Sequence, residues 1–303
     1  MTFTIATTVD EALAAIAGGS RPIAGGTDLV VGARHGKAPL PEDLVAIDRL
    51  EELAQVELGG YDGRGDGARV GALMSHADLM TDPVIVASYT AIADASALVG
   101  SPSTRHVGTI GGNVMNGSPA MDTGAPLLVL GAQAELRSTS GARTVSLDEL
   151  WTGPGQTSAA ADEMLVALHL PPAQERCGSA YVRLEYRRAM EIAVVGAAAG
   201  VTLAADGTIA SAAVALAAVA PTIVSVEGAD AALGGLTPDA AGPVIAELAS
   251  ERAAPISDLR ASDAYRRHCI GVMAKRAVDA AARRAAGEEI AVPVNRSIGI
   301  GAD

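Results

Sequence analysis

Aromatic side chains are nearly absent from this chain: one Phe, one Trp and five Tyr among 303 residues. Hydrophobic residues still make up 49% of it, which excludes disorder as a general description and leaves the core to be built from Ala, Val, Leu and Ile. Cysteine is equally scarce. Cys177 and Cys269 lie far apart, with no CxxC and no Cys/His cluster, so neither a structural zinc nor an iron–sulfur cluster is expected here; both read as inert apolar residues. The five histidines, at 35, 76, 106, 169 and 268, show no metal-ligand spacing. Basic residues are outnumbered, 22 Lys and Arg against 35 Asp and Glu, for a net charge of −13. That balance argues against nucleic acid and against an anionic membrane surface. No run of about 20 uninterrupted apolar residues suggests a membrane span. The opening "MTFTIATTVDEALAAI" lacks the basic start and continuous apolar block of a signal peptide, so a cytoplasmic location is expected.

What is present is an orderly alternation of strand-like and helix-like segments. Thr8 followed by Glu11 is a capping-box pattern, with Leu13 and Ile16 on one helical face and Gly18-Gly19 as the stop. Pro22 to Ala24 and Leu44 to Ile47 read as short buried strands. Residues 1–58 therefore form a first α/β lobe. "GGYDGRGDGAR", 59 to 69, reads as an exposed turn. A second lobe, 59–174, follows: a strand at Arg69 to Ala72, a capped helix start at Ser75 to Asp78, helical spacing over Pro83 to Leu98 and Pro126 to Leu130, a hairpin around "STSG", and a strand from Met164 to Leu170. "PPAQERCG" reads as a linker. Residues 175–287 then run as strands (181 to 186, 193 to 203, 209 to 216, the last two joined at Asp206-Gly207) followed by helices at about 228 to 234, 237 to 250 and 262 to 286. That order suggests a separate α+β domain, in which the "AAVALAAVAP" run is a core strand. The tail, 288–303, has no evident partner in this chain and is expected either to be disordered or to lie on another subunit.

Two glycine stretches carry the chemistry: "RPIAGGTDLV" at 21 to 30 and "VGTIGGNVMNGSPAMD" at 107 to 122. Each is entered by an apolar segment. Either is explained by an ordinary turn. Either also suits a backbone cradle for phosphate, because glycine reaches the φ angles that aim successive N–H groups into one concavity and removes the Cβ that blocks close approach. Thr109 and Asn113 add possible side-chain hydrogen bonds. Neither stretch is a GxGxxG fingerprint or a Walker P-loop. As a pair they suit a dinucleotide diphosphate held between two lobes, with the dinucleotide itself left open.

"PIAGGTDL" followed about 85 residues later by "VGTIGGNVMNGSPAMDT" resembles the flavin-binding subunit of the molybdenum hydroxylases, the family of xanthine dehydrogenases, aerobic carbon monoxide dehydrogenases and N-heterocycle dehydrogenases. "RLEYRRAMEIAVVGAA" at 183 to 198 and "ISDLRASDAYRRHCIGVMAKRA" at 256 to 277 extend the resemblance over nearly the whole chain. It implies an α+β protein: a two-lobed FAD-binding domain of the vanillyl-alcohol-oxidase type, then a C-terminal α+β domain of the carbon monoxide dehydrogenase flavoprotein type. Carried over by position, Ile23, Ala24, Gly25, Gly26, Thr27, Asp28 and Leu29 wrap the FAD diphosphate from the first lobe. Thr109, Ile110, Gly111, Gly112 and Asn113 do so from the second. Ser118 and Asp122 sit beside the cofactor, Val99 packs near it, and Leu165 or Val166 falls where the family touches the flavin ring. Arg183 stands where related enzymes often carry a lysine facing the flavin, so its role stays open. Set against these roles are plain ones: Asp122 as a helix cap, Asp28 as the cap of the following turn, Arg183 with Arg187 and Arg188 as a solvated or interface face, His106 in a solvent or packing role rather than a covalent flavin link, and Trp151 as core.

The resemblance further implies partners: a large subunit with the molybdenum cofactor and a small subunit with two [2Fe–2S] clusters, assembled as a dimer of heterotrimers. This chain receives electrons from the clusters and passes them through FAD to an external acceptor, with no catalytic side chain of its own and no metal. Carbon monoxide dehydrogenase subunits resemble "AGGHS" where this chain has "AGGTD", which favours a purine or other N-heterocycle substrate on the partner. The extra cysteine-bearing insert of 4-hydroxybenzoyl-CoA reductase subunits is missing. The rival readings are a carbon monoxide dehydrogenase medium subunit, a self-contained FAD oxidoreductase of similar fold, and a nucleotide-binding or assembly module without redox function.

Overall fold

The computed structural model describes residues 2–59 and 67–300; most of the turn expected at 59 to 69 lies outside them. The first lobe is β1 (Thr2–Ile5), α1 (Val9–Ala17), β2 (Arg21–Ile23), α2 (Leu29–Arg34) and β3 (Asp43–Ala46). Its three strands form a parallel sheet in the order β1-β3-β2. Strand β1 alternates polar and apolar residues, yet all four, Phe3 and Ile5 included, are exposed at the sheet edge. The capping box at α1 is shifted by one residue. Thr8 Oγ1 accepts from Glu11 N at 3.2 Å, while the Glu11 carboxylate accepts from Thr7 N and Thr7 Oγ1 at 2.8 Å.

The second lobe begins earlier than the boundary at 58. β4 (Val56–Leu58) pairs antiparallel with β5 (Ala68–Gly71) and so belongs to the second sheet. Helices α3 (His76–Leu79), α4 (Pro83–Ser88), α5 (Thr90–Leu98), α6 (Pro102–Arg105), α7 (Ile110–Asn116) and α8 (Gly124–Val129) follow. The single helical pattern read over 83 to 98 is two helices, broken at Tyr89, whose hydroxyl donates to the Pro171 carbonyl. Then come β6 (Gln133–Ser138), β7 (Gly141–Ser146), α9 (Leu147–Leu150), a small β8 (Trp151–Gly153) and β9 (Gln156–Thr157) ladder, and β10 (Met164–Leu170). The sheet order is β4-β5-β10-β6-β7. Strand β10 is central and buried on both sides. Met164 and Val166 face the first-lobe core, while Leu165, Leu168 and Leu170 face the second; the alternation changes phase at the bulge between Leu165 and Ala167.

The C-terminal unit is β11 (Cys177–Leu184), β12 (Val195–Leu203), β13 (Ile209–Ala217), β14 (Val224–Ser225), α10 (Ala229–Leu233), α11 (Pro238–Arg252), α12 (Asp263–Ala285) and α13 (Val294–Ser297). The last part of the expected linker is already strand β11. The antiparallel sheet β11-β12-β13-β14 shows one face to the second lobe, through Tyr181, Ala198, Ala215 and Ala217, and the other to α11 and α12. The shortage of aromatics is met here by close approach. A Cβ on Gly178 would lie 2.3 Å from the Ala281 carbonyl oxygen, and one on Gly271 would lie 2.6 Å from that of Ala246. Small residues let strand and helices touch backbone to backbone, so alanine-sized side chains fill the core.

The tail does have a partner in this chain, contrary to the expectation from sequence. Val294 is buried, and its N–H donates to Asp94 Oδ1 at 2.9 Å. Asp94, fully buried on α5, also accepts from Tyr181 N at 3.2 Å and from both terminal nitrogens of Arg284 at 2.6 and 3.0 Å. One buried carboxylate thus ties the second lobe, β11, α12 and the tail together. Hydrophobic periodicity carries no signal for such a polar clasp.

Candidate functional site

The first glycine stretch folds as a strand end followed by an open loop. Gly26 has φ +67°, the left-handed region that glycine occupies without a Cβ penalty. Asp28 precedes α2, but its side chain caps nothing, so the reading of Asp28 as a cap is corrected. The N–H groups of Gly25, Gly26, Thr27 and Asp28 donate to no acceptor among the described residues. Four successive unengaged donors around a left-handed glycine make a nest suited to an anion. Ile23 ends β2, Ala24 packs against the first-lobe core and Leu29 opens α2.

The second stretch is built differently. Thr109 caps α7 by accepting from Gly112 N at 3.1 Å. Ile110 N donates to Met74 O, Gly111 N to Ala72 O and Asn113 N to Thr109 O. The expected second nest of free N–H groups is therefore absent, because two of these donors hold the loop to the segment just after β5 and two are taken by Thr109 in the helix cap. Gly111 is required by that contact: a Cβ would lie 2.6 Å from the Ala72 carbonyl oxygen. Gly112 is not, since an added Cβ would meet only the Thr109 hydroxyl, at 3.1 Å. Its bare surface is exposed. Ile110 is buried and faces away.

Tertiary structure brings the two stretches together. A Cβ on Gly25 would lie 1.9 Å from the Val107 carbonyl oxygen, and one on Gly108 would lie 3.4 Å from Thr27 Oγ1. Behind this contact His76 is buried, with its main-chain N–H donating to Gly108 O at 3.1 Å and its ring Nδ1 without a partner among the described residues. Burial and the neighbouring Arg105 guanidinium push its pKa down to about 4, so it is neutral at pH 7. His106 is exposed. Val99 ends α5 half-buried, its carbonyl accepting from Arg105 Nη1 at 2.9 Å. Trp151 is core, with Nε1 donating to Val114 O at 3.0 Å.

A cluster of buried polar groups adjoins the second stretch. Thr123 Oγ1 donates to Asn113 Oδ1 at 2.6 Å, which places Asp122 one residue from the loop. Asp122 Oδ1 accepts from Tyr181 OH at 2.8 Å and Oδ2 from Arg183 Nη1 at 2.7 Å. Asp122 is therefore an ion-pair partner, and the helix-cap reading is corrected. Arg183 is corrected too. It is fully buried, separate from the exposed Arg187, and its second carboxylate partner is Glu185, at 2.6 and 2.7 Å. Burial acts to lower the Arg183 pKa, but Asp122, Tyr181 and Glu185 outweigh it and raise it. Burial and Asp122 raise the Tyr181 phenol, which stays a donor. Gly196 stands opposite Arg183 on β12, where a Cβ would lie 2.4 Å from the Tyr181 hydroxyl; glycine leaves that hydroxyl room to reach Asp122. Asn295 from the tail brackets the Arg183 main chain, accepting from its N at 3.2 Å and donating to its O at 2.9 Å. No sequence motif announces Tyr181, Glu185, Gly196 or Asn295 as members of one cluster.

Ser118 lies half-buried on the segment leading to Asp122, its hydroxyl accepting from Ala120 N at 3.3 Å. Leu165 and Val166 are core side chains on β10, so only their backbone can approach a ligand. Beside the Asp122 segment is a cavity of about 350 Å³ lined by Pro119, Ala120, Ile192, Ala193 and, at its polar end, Asp258 and Arg266. Arg266 is buried there with its Nε unpartnered.

The free nest, the glycine contact and the buried polar cluster together fit a dinucleotide better than an isolated phosphate. Residues 1–173 match the FAD binding domain in molybdopterin dehydrogenase, and residues 180–281 match the CO dehydrogenase flavoprotein C-terminal domain. The chain is 33% identical over 273 residues to a xanthine dehydrogenase FAD-binding subunit of Escherichia coli, covering 88% of this chain and 90% of that one. It is 33% identical over 268 residues to the carbon monoxide dehydrogenase medium chain of Afipia carboxidovorans, with the same coverage. Among solved structures, a carbon monoxide dehydrogenase from Hydrogenophaga pseudoflava that lacks the Mo-pyranopterin moiety superposes with a TM-score of 0.87 at 30% identity, over 94% of this chain and 98% of that one. Quinoline 2-oxidoreductase from Pseudomonas putida 86 superposes with a TM-score of 0.85 at 25% identity, over the same shares. With its fold and both family domains in place, the chain belongs to the FAD-binding subunits of the molybdopterin dehydrogenases, as an oxidoreductase component.

Proposed function

We propose that this chain holds FAD between its two glycine stretches and serves as the medium, electron-transferring subunit of a heteromeric molybdenum hydroxylase. The observation that carries the reading is the row of unengaged N–H groups from Gly25 to Asp28, set against the second stretch at van der Waals distance. In this reading residues 23 to 29 wrap the diphosphate. Thr109 and Asn113 offer a hydroxyl and an amide from the other side, Gly112 leaves the approach open, and Asp122 accepts from a donor of the cofactor. When bound, FAD takes up electrons singly and releases them in pairs. The chain's residues bind it, orient it and shape the electrostatics around it. The cavity beside Ala120 and Ile192 supports an approach route for the external acceptor.

Electrons come from [2Fe–2S] clusters on a small partner, and substrate is hydroxylated at the molybdenum cofactor of a large one. The Thr27-Asp28 ending of the first stretch favours a purine or other N-heterocycle as substrate. Affinity purification from the native host tests the whole reading. FAD together with two partner chains, iron and molybdenum is the expected result. Full turnover by the isolated chain, or a purified complex without flavin, overturns it.

A further inference from the structure

His76 lies beneath the junction of the two glycine stretches, only 2% exposed, and its ring forms no hydrogen bond among the described residues. The main chain fixes its place: its N–H donates to Gly108 O, and Ser75 caps α3 directly before it. The two ring nitrogens differ. Nδ1 is sealed in without a partner. Nε2 is not among the sealed atoms, and it adjoins Cδ2, the ring edge turned toward Gly108. Burial and the Arg105 guanidinium hold the ring neutral at pH 7, so it carries a single N–H. Sealing an N–H away from every acceptor costs more than sealing a lone pair, so the proton sits on Nε2.

Thr27 meets the ring at the same point. The space that a Gly108 Cβ would fill is 3.4 Å from His76 Cδ2 and 3.4 Å from Thr27 Oγ1. The Thr27 hydroxyl and N–H are likewise unengaged among the described residues. The carbonyl nearest that space, Thr104 O at 3.1 Å, already accepts from Val107 N and Gly108 N. A hydroxyl from the first lobe and an imidazole N–H from the second thus converge on the bare face of Gly108, beside the free N–H groups of Gly25 to Asp28.

We propose that His76 is a cofactor-binding residue: through Nε2–H it donates, together with the Thr27 hydroxyl, to a diphosphate oxygen of the dinucleotide. The proposal rests on the reading that FAD lies between the two stretches. An anionic oxygen is the group called for, because both groups are short donors set at the edge of a nest. Held from both sides at one oxygen, the diphosphate would also hold the lobes together at Gly108.

The test uses the purified complex stripped of flavin, with FAD binding followed by flavin fluorescence, ADP binding by calorimetry and unfolding by thermal melts. ADP carries a diphosphate and no flavin ring. His76→Leu fills the ring's space without a donor and should weaken both ligands about tenfold, the loss of one hydrogen bond to a charged group. His76→Gln returns an amide N–H and should recover most of that affinity. Thr27→Val removes the hydroxyl at a half-buried position, keeps the shape and should weaken both ligands to a similar degree. A merely structural histidine would lower the melting temperature of His76→Leu and leave its affinity for both ligands unchanged, which overturns the proposal. A loss for FAD that ADP does not share also overturns it, since His76 would then act on the flavin half. Should His76→Leu not fold, unchanged affinities in Thr27→Val overturn it as well. A wild-type complex that takes up no FAD overturns the underlying reading, and the proposal with it.

Discussion

At the scale of single residues, the glycines divide by what a side chain would meet. Gly25 and Gly111 are held by backbone contact, Gly26 by its φ of +67° and Gly112 by nothing in the fold. A Gly26→Val chain puts a β-branched residue in the left-handed region, at a cost of about 1–3 kcal/mol, and misaims the nest. It should fold with a lowered melting temperature and lose most of its FAD; full flavin retention would reduce the stretch to a turn. His76 gives a pH-dependent expectation. Its pKa is about 4 when folded against 6.5 when free, so between those values the unfolded chain binds more protons. Stability should be intact above pH 6.5 and fall as pH drops toward 4, by about 2 kcal/mol between pH 7 and 5. Urea midpoints at the two pH values, compared with those of His76→Leu, test this: the variant should lose that part of the slope. Sequence reading found the glycines, and assigned Asp28, Asp122 and Arg183 their alternatives without deciding among them. Whether a carboxylate caps a helix or pairs with an arginine 61 residues away depends on neighbours that sequence order does not specify.

At the scale of elements, the strong periodic patterns were readable and the edges were not. The hairpin around Thr139-Ser140, strand β10 and the Ser262 cap of α12 stand where local pattern puts them, because turn chemistry and capping are short-range. Strand β1 is exposed along its length, and β4 belongs to a sheet whose other strands come later in the chain. The alternation in β1 is only four residues long and β4 has only three residues, so neither stands out locally. The tail is the clearest case. Four residues of helix α13 are too few to be stable alone, and α13 exists because Asp94 and the Arg183 main chain receive it. Asn295→Ala should leave the Arg183 N–H and carbonyl buried without partners, at a cost of about 1–3 kcal/mol. Calorimetry should show a lowered unfolding temperature, and hydrogen exchange should show deprotection centred on β11 and the tail. Unchanged protection at β11 would mean that Asn295 does not hold Arg183 in place.

At the scale of the whole molecule, the first lobe, the second lobe and the C-terminal sheet meet at one place. The two glycine stretches touch there, and the Tyr181–Asp122–Arg183–Glu185 cluster lies beside them. No described helix is long and apolar enough to cross a membrane. If FAD bridges these units, it binds the folded state alone and should raise the unfolding temperature of both lobes together, in proportion to the logarithm of FAD concentration. Removal of flavin should split or lower the thermal transition; a transition indifferent to FAD would count against binding between lobes. The α+β class, the small-residue core, the capped helices and the family were all legible along the chain, because composition, period and glycine spacing are local properties. Long-range packing settled that one glycine stretch keeps its N–H groups free while the other spends them on Ala72, Met74 and its own helix cap. It alone decided that the tail is clasped, and that Arg183 is buried between two carboxylates. Those outcomes depend on which donors and acceptors meet across tens to hundreds of residues, and a buried polar group is settled by the partners that fold around it.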